Sequence, residues 1–108
     1  MNPEPLADSD ILECLQDVID PEVGVSIVDL GLVYDARHVS GVIAVSVTLT
    51  ARACPLGSMI IENVRNSLSR RYQGAKLDVR LVWTPAWNPE RITKRGRALL
   101  GRQPEGAE

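Results

Sequence analysis

Val42-Ile43-Ala44-Val45-Ser46-Val47-Thr48-Leu49-Thr50 runs directly into Ala51-Arg52-Ala53-Cys54-Pro55-Leu56-Gly57-Ser58, and the hydrophobic pattern changes there from a period of two to a helical one. In the first part Ile43, Val45, Val47 and Leu49 alternate with Ala44, Ser46, Thr48 and Thr50. That alternation predicts a strand with one buried face and one small, hydroxyl-bearing face. In the second part Ile60, Ile61, Val64 and Leu68 recur at helical spacing as far as Arg70-Arg71, and Gly74 follows as a stop signal. Proline is favoured at the first position of a helix, so Pro55 puts Cys54 at or beside the N-cap. A thiol there meets unpaired amide N–H groups and the positive end of the helix dipole, which favour its thiolate. A small, inert cysteine in a tight turn carries the same sequence signature, and position alone does not decide between them.

Working outward, Leu77, Val79, Leu81 and Trp83 alternate again and predict a third strand, while Leu32 to Arg37 predicts one ahead of a hairpin connection at Val39-Ser40-Gly41. Upstream, Asp8-Ser9-Asp10 offers helix caps with Glu13 in capping-box spacing. Ile11, Leu12, Leu15, Val18 and Ile19 form the apolar stripe of a helix that Asp20-Pro21-Glu22 should end. Cys14 lies beside that stripe and reads as packing. Val23 to Val28 is apolar but broken by Gly24, an irregular or short extended segment, and Asp29-Leu30-Gly31 reads as a turn. Downstream, Thr84-Pro85-Ala86-Trp87-Asn88-Pro89 is a rigid loop, and a basic helix is expected from Pro89 or Glu90 through Leu99-Leu100 to Gly101. The expected organisation is a flexible arm over residues 1–8, one domain over residues 9–101 and a disordered tail over residues 102–108. The expected class is α+β, in the order helix-strand-strand-helix-strand-helix, with a three-stranded mixed sheet and helices on one face.

This order brings distant segments together. The hairpin makes the Leu32 strand antiparallel to the Val42 strand, so Asp29 returns to the end where Thr50 leaves. The helix after Cys54 runs back along the sheet, and a crossover of that length makes the Leu77 strand parallel to the Val42 strand. Asp29, Cys54 and the Trp83 to Trp87 loop therefore share one edge.

Composition narrows the function classes. The chain has 108 residues and a formal net charge of -2, and every charged residue from Met1 to Asp35 is acidic. No nucleic-acid motif or membrane span is present, and the two cysteines, in different contexts, do not form a disulfide framework. A reducing cytoplasm is the expected location. The lone histidine, His38, sits at the hairpin, roughly 25 to 30 Å of strand away from Cys54 at about 3.3 Å per residue. A cysteine hydrolase or transferase needs a nearby base, so an enzyme with a Cys54 nucleophile is disfavoured. Leu56-Gly57-Ser58 lacks the glycine spacing and lysine of a phosphate-binding loop. A closed metal site ordinarily takes four ligands, and this chain offers Cys54 with Asp29 as its plausible neighbour, so a transient metal site completed by another molecule is the chemistry left open.

With those residues laid out, the sequence resembles the SufT-like and PaaD-like family, a small iron-sulfur cluster assembly domain. The matching segments are Asp20-Pro21-Glu22, Ile27-Val28-Asp29-Leu30-Gly31-Leu32-Val33-Tyr34, Thr48-Leu49-Thr50 followed by Cys54-Pro55, Val82-Trp83-Thr84-Pro85-Ala86-Trp87, and Leu99-Leu100-Gly101. The resemblance implies an α+β domain that helps mature or deliver iron-sulfur clusters. Cys54 is then the reactive or cluster-contacting residue, and Asp29 and Thr50 line the same site. Two departures stand out. Arg52 takes a position where a small or proline-like residue is expected, which alters access or stabilises a thiolate by its charge. The chain also ends soon after Gly101, without the cysteine-bearing extension of PaaD-like members, which favours a stand-alone SufT-like role over that of an accessory to a phenylacetyl-CoA oxygenase-type system.

The leading expectation is a non-enzymatic maturation factor. Cys54 transiently holds iron or cluster, no cofactor is tightly bound, and Trp83, Pro85 and Trp87 form a client-docking loop beside the basic last helix. Its partners are iron-sulfur client proteins and the assembly machinery. The competing expectation is a protein-interaction adaptor without a metal role. The open Ser46, Thr48 and Thr50 face also suggests a homodimer.

Overall fold

The computed structural model describes residues 8–50 and 57–101. Its first helix, α1 (Ser9–Leu15), is capped by Asp8, whose Oδ1 accepts the N–H of Asp10 at 2.8 Å and that of Ile11 at 3.3 Å. The helix ends four residues before Ile19, where the apolar stripe had suggested it would continue. Instead Ile19–Asp20 forms β1, paired antiparallel with β2 (Val25–Ser26). The physical reason is the proline: Pro21 bars helical geometry at Asp20, and the extended form at Asp20 recruits Ile19 as well. Asp20 then organises the turn, its Oδ1 accepting Glu22 N–H at 2.9 Å and its carbonyl accepting Gly24 N–H at 2.7 Å. Val18 stays buried, while Ile19 is 43% exposed.

The main sheet follows the expected topology. β3 (Val33–Val39) and β4 (Val42–Val47) pair antiparallel through Ser40 and Gly41, both left-handed, the geometry that matches strand twist in a two-residue hairpin. β5 (Lys76–Leu81) pairs parallel to β4 on its other side, giving the order β3-β4-β5. The crossover is α2 (Gly57–Arg71). Ile60, Val64 and Leu68 of α2 share one core with Ala36, Ile43, Val45, Val47 and Val79 of the sheet and Ile11 and Leu15 of α1. The alternate sheet positions carry Asp35, Arg37, Ala44, Ser46, Asp78 and Arg80, with ion pairs at 3.1 Å between Asp35 and Arg37 and between Asp78 and Arg80.

The last helical region is two pieces rather than one. A 3-10 turn, Pro89–Arg91, is capped by Asn88, whose Oδ1 accepts Glu90 N–H at 2.8 Å; the chain then extends through Ile92 before α3 (Lys94–Gly101). Thr93 accounts for the interruption. Its hydroxyl oxygen accepts Gly96 N–H at 2.9 Å, restarting the helix with a fresh cap. The expected tail and all of the expected arm before Asp8 lie outside the described residues. Among the described residues, no helix is long and apolar enough to cross a membrane.

Candidate functional site

Three segments meet at the end of the sheet where β4 leaves the core. Thr48 N–H donates to Leu32 O at 2.8 Å, and Val82 N–H donates to Val47 O at 2.8 Å, so hydrogen bonding continues past the strand ends. The loop after β5 then folds over the Leu30 to Tyr34 segment. Trp87 Nε1 donates to Leu30 O at 2.7 Å, and the Tyr34 hydroxyl donates to Pro85 O at 2.8 Å. Trp83 and Trp87 are half-buried against the core, whereas Thr84, Pro85 and Ala86 are exposed.

Asp29 is buried, only 4% exposed, and its carboxylate is fully engaged. Oδ1 accepts the Thr93 hydroxyl at 3.0 Å, Oδ2 lies 3.6 Å from Arg95 Nε, and its carbonyl accepts Thr93 N–H at 2.9 Å. A buried carboxylate without such partners would carry a large desolvation cost. Asp29 therefore holds the start of α3 against the turn. Two glycines make this approach close: a Cβ on Gly96 would sit 2.7 Å from Asp29 O, and one on Gly31 would sit 2.6 Å from Arg91 Cβ. Arg91 in turn lies over the Tyr34 ring, 4.4 Å from its centre.

Cys54 and Arg52 lie outside the described residues. The residues on either side of that segment are described. Thr50 is exposed at its start; at its end Gly57 is buried, and an added Cβ would crowd Leu49 Cδ1 at 2.9 Å. Leu49 and Leu81 both flank Gly57, so the segment leaves and rejoins the fold at the edge occupied by the Asp29 turn and the tryptophan loop. Thr48 Oγ1 is buried there and has no hydrogen-bond partner among the described residues. Beyond Gly57 an open groove of about 490 Å³ is lined by Gly57, Ser58, Ile61, Glu62, Arg65 and Leu81.

His38 is far from this edge, exposed on β3 and packed edge-on against Tyr72 with ring centres 5.3 Å apart. Among the described residues, no three His, Cys, Asp or Glu side chains gather to hold a metal ion.

A model of the iron-sulfur cluster assembly protein family matches residues 8–78. The chain belongs to that family. Within it, the chain is 36% identical over 94 residues to the Fe-S protein maturation auxiliary factor YitW of Bacillus subtilis, covering 86% of this chain and 92% of the relative. It is 39% identical over 85 residues to the auxiliary factor SufT of Staphylococcus aureus, covering 78% and 97% respectively. A crystal structure of a domain of unknown function from Bacillus anthracis superposes with a TM-score of 0.82 at 34% identity, covering 88% of this chain and 92% of that one. The two curated relatives are described as auxiliary factors rather than as enzymes. The iron-sulfur assembly resemblance and the α+β class expected from the motifs are thus borne out.

In this iron-sulfur assembly domain the sequence reading missed Thr93, Arg95 and Arg91 as partners of the Asp29 to Tyr34 segment. The available signal was a threonine three residues ahead of Gly96, directly before a helical run.

Cys14 keeps its packing role. Its Sγ donates to Ser67 O at 3.4 Å, and burial pushes its thiol pKa up, with the nearby Arg71 charge opposing. The thiolate is the reactive species. Cys14 in the folded protein should therefore react slowly with iodoacetamide near neutral pH and rapidly once denatured, as peptide mass mapping would show. Fast labelling of native Cys14 would contradict this assignment.

Proposed function

We propose that this protein is a non-enzymatic factor that helps deliver or install iron-sulfur clusters, or iron, in client proteins in the cytoplasm, with Cys54 as the residue that transiently contacts the cargo. The observation that carries this reading is the convergence of the Leu30 to Tyr34 segment, the tryptophan loop and the anchors of the Cys54 segment at one sheet end. A soft thiolate at such an edge is a suitable iron ligand, and one protein ligand suits a carrier that must release its cargo. Thr50 is exposed at the entry to that segment, and the carboxylate of Asp29 acts through the α3 contacts that shape the edge. Arg52 is assigned to favour the thiolate by its charge.

The client-docking role falls on the exposed Thr84, Pro85 and Ala86, because the Trp87 N–H is used internally and both tryptophans are half-buried. The basic residues Lys94, Arg95 and Arg97, exposed on α3, extend that surface.

The test is anaerobic reconstitution with iron and sulfide, with and without glutathione, followed by absorbance and Mössbauer spectra of the wild type and Cys54→Ser. Spectra of a cluster on the wild type and none on Cys54→Ser are expected. Equal cluster content in both proteins would remove Cys54 as the ligand. No cluster on either protein under any condition would favour an adaptor without a metal role.

A further inference from the structure

The outer edge of β5 meets the proposed site only at its last residue, Leu81, beside Gly57 among the described residues. Lys76 N–H donates to Gly41 O at 2.9 Å and Val82 N–H to Val47 O at 2.8 Å. The even-numbered residues of β5 thus turn their backbone groups toward β4, and Leu77, Val79 and Leu81 turn theirs outward. No strand among the described residues pairs with that edge. Such an edge is a template for another strand. Beside it Leu81 is 38% exposed and forms part of the apolar groove with Ile61.

The strand Lys76-Leu77-Asp78-Val79-Arg80-Leu81 is complementary to itself. Laid antiparallel against a second copy and centred on Val79, it sets Leu77 opposite Leu81 and Asp78 opposite Arg80, twice each by symmetry. We propose that two copies of this chain pair in that register, joining their three-stranded sheets into one six-stranded sheet across a twofold axis.

Backbone and side chains agree on this register. Leu77, Val79 and Leu81, the residues with outward backbone groups, fall at the hydrogen-bonded positions, and Asp78 and Arg80 fall at the non-hydrogen-bonded ones, where side chains approach most closely. Moving the centre by one residue either way keeps the hydrogen bonding but opposes like charges: Arg80 meets Arg80, or Asp78 meets Asp78. Of these three registers, the one centred on Val79 sets Asp78 against Arg80 and places no like charges opposite each other. The groove rim on α2 carries one charge of each sign, Glu62 and Arg65, so two α2 helices can approach without net repulsion. One strand and one helix flank make a small contact, so the dimer is concentration-dependent rather than permanent.

Face-to-face stacking of the open sheets is the competing arrangement for a second copy. Arg37, Ala44 and Asp78 form one row across that face, and Asp35, Ser46 and Arg80 the next. The Ser46, Thr48 and Thr50 face expected to serve a homodimer is not continuous, because Thr48 is 1% exposed. A charge swap separates the two arrangements, since edge pairing opposes Asp78 to Arg80 and stacking can oppose Asp78 to Arg37.

The experiment is sedimentation equilibrium of the full chain, up to the millimolar range, for the wild type, Asp78→Arg, Arg80→Asp and the double variant, with folding checked by circular dichroism. The wild type should dimerise, and each single variant should dimerise at least about tenfold more weakly, because two cross-strand pairs turn from attraction to repulsion. The double variant should return to near wild-type affinity. In the wild type, hydrogen exchange at the Leu77, Val79 and Leu81 amides should slow as concentration rises. A wild type that stays monomeric, single variants that dimerise normally, or a double variant that fails to recover would each overturn the proposal. The last outcome would favour stacking against Arg37.

Discussion

Cys54→Ser should reduce activation of an iron-sulfur client enzyme to the level seen without the protein, while leaving the melting temperature within about 3 °C of wild type. Serine keeps roughly the size and hydrogen-bonding capacity of cysteine but removes the polarizable sulfur, so the substitution isolates the soft ligand. The polar groups of the Asp29 turn and of the loop folded over it are already engaged. The Asp29 carboxylate is taken by Thr93 and Arg95, the Trp87 N–H by Leu30 and the Tyr34 hydroxyl by Pro85. Cys14→Ser is the matched control and should leave client activation unchanged, because Cys14 packs between α1 and the Ser67 carbonyl of α2. The measurement is client activity after co-incubation with an iron and sulfide source, compared at equal protein concentration. Full activation by Cys54→Ser would end the thiol mechanism and move attention to the exposed Thr84 to Ala86 tip.

The elements that sequence revealed best were those in which local pattern and tertiary burial agree. Ile43, Val45 and Val47 alternate because α2 covers one face of β4, and Ile60, Val64 and Leu68 recur because the same core covers one face of α2. Those two patterns, with the hairpin at Ser40-Gly41, were enough to bring the Asp29 turn and the tryptophan loop to one end. Val18 and Ile19 misled because two apolar residues fit a helical stripe and a short strand equally well. Only the extended geometry that Pro21 imposes on Asp20 decides between them. Thr93 was hidden for a different reason. Its partner, Asp29, lies 64 residues away, and no local pattern announces a contact of that range. The reading of Asp29 as a plain turn residue and its reading as a shared-edge residue were both partial. The side chain does its work by capturing the cap of a helix that the linear sequence ran together with the preceding turn.

That contact leads to the largest stability effect expected here. Gly31→Ala should destabilise the fold by about 3 kcal/mol, from left-handed strain together with a backbone clash. In a domain of this size such a loss lowers the melting temperature by about 10 to 20 °C. Gly31 has φ +76, and an added Cβ would meet the carbonyl oxygen of Arg91, with Arg91 Cβ at 2.6 Å and its carbonyl carbon at 2.7 Å. These are mostly backbone atoms of the Pro89–Arg91 turn and cannot swing aside as a flexible side chain would. The whole turn must move, taking Arg91 off the Tyr34 ring and loosening the loop that Tyr34 ties at Pro85. Gly41→Ala is the internal comparison: its φ is +78, but an added Cβ has nothing within 4 Å. It carries the left-handed strain alone and should cost about 1 kcal/mol. Thermal unfolding of both variants followed by near-ultraviolet circular dichroism, which reports on Trp83 and Trp87, separates strain from clash. If the two substitutions cost the same, the close approach of the Pro89–Arg91 turn to Gly31 is not what holds this edge together. If Gly31→Ala alone collapses the tryptophan signal below its melting temperature, the turn, the Tyr34 contact and the tryptophan loop behave as one unit.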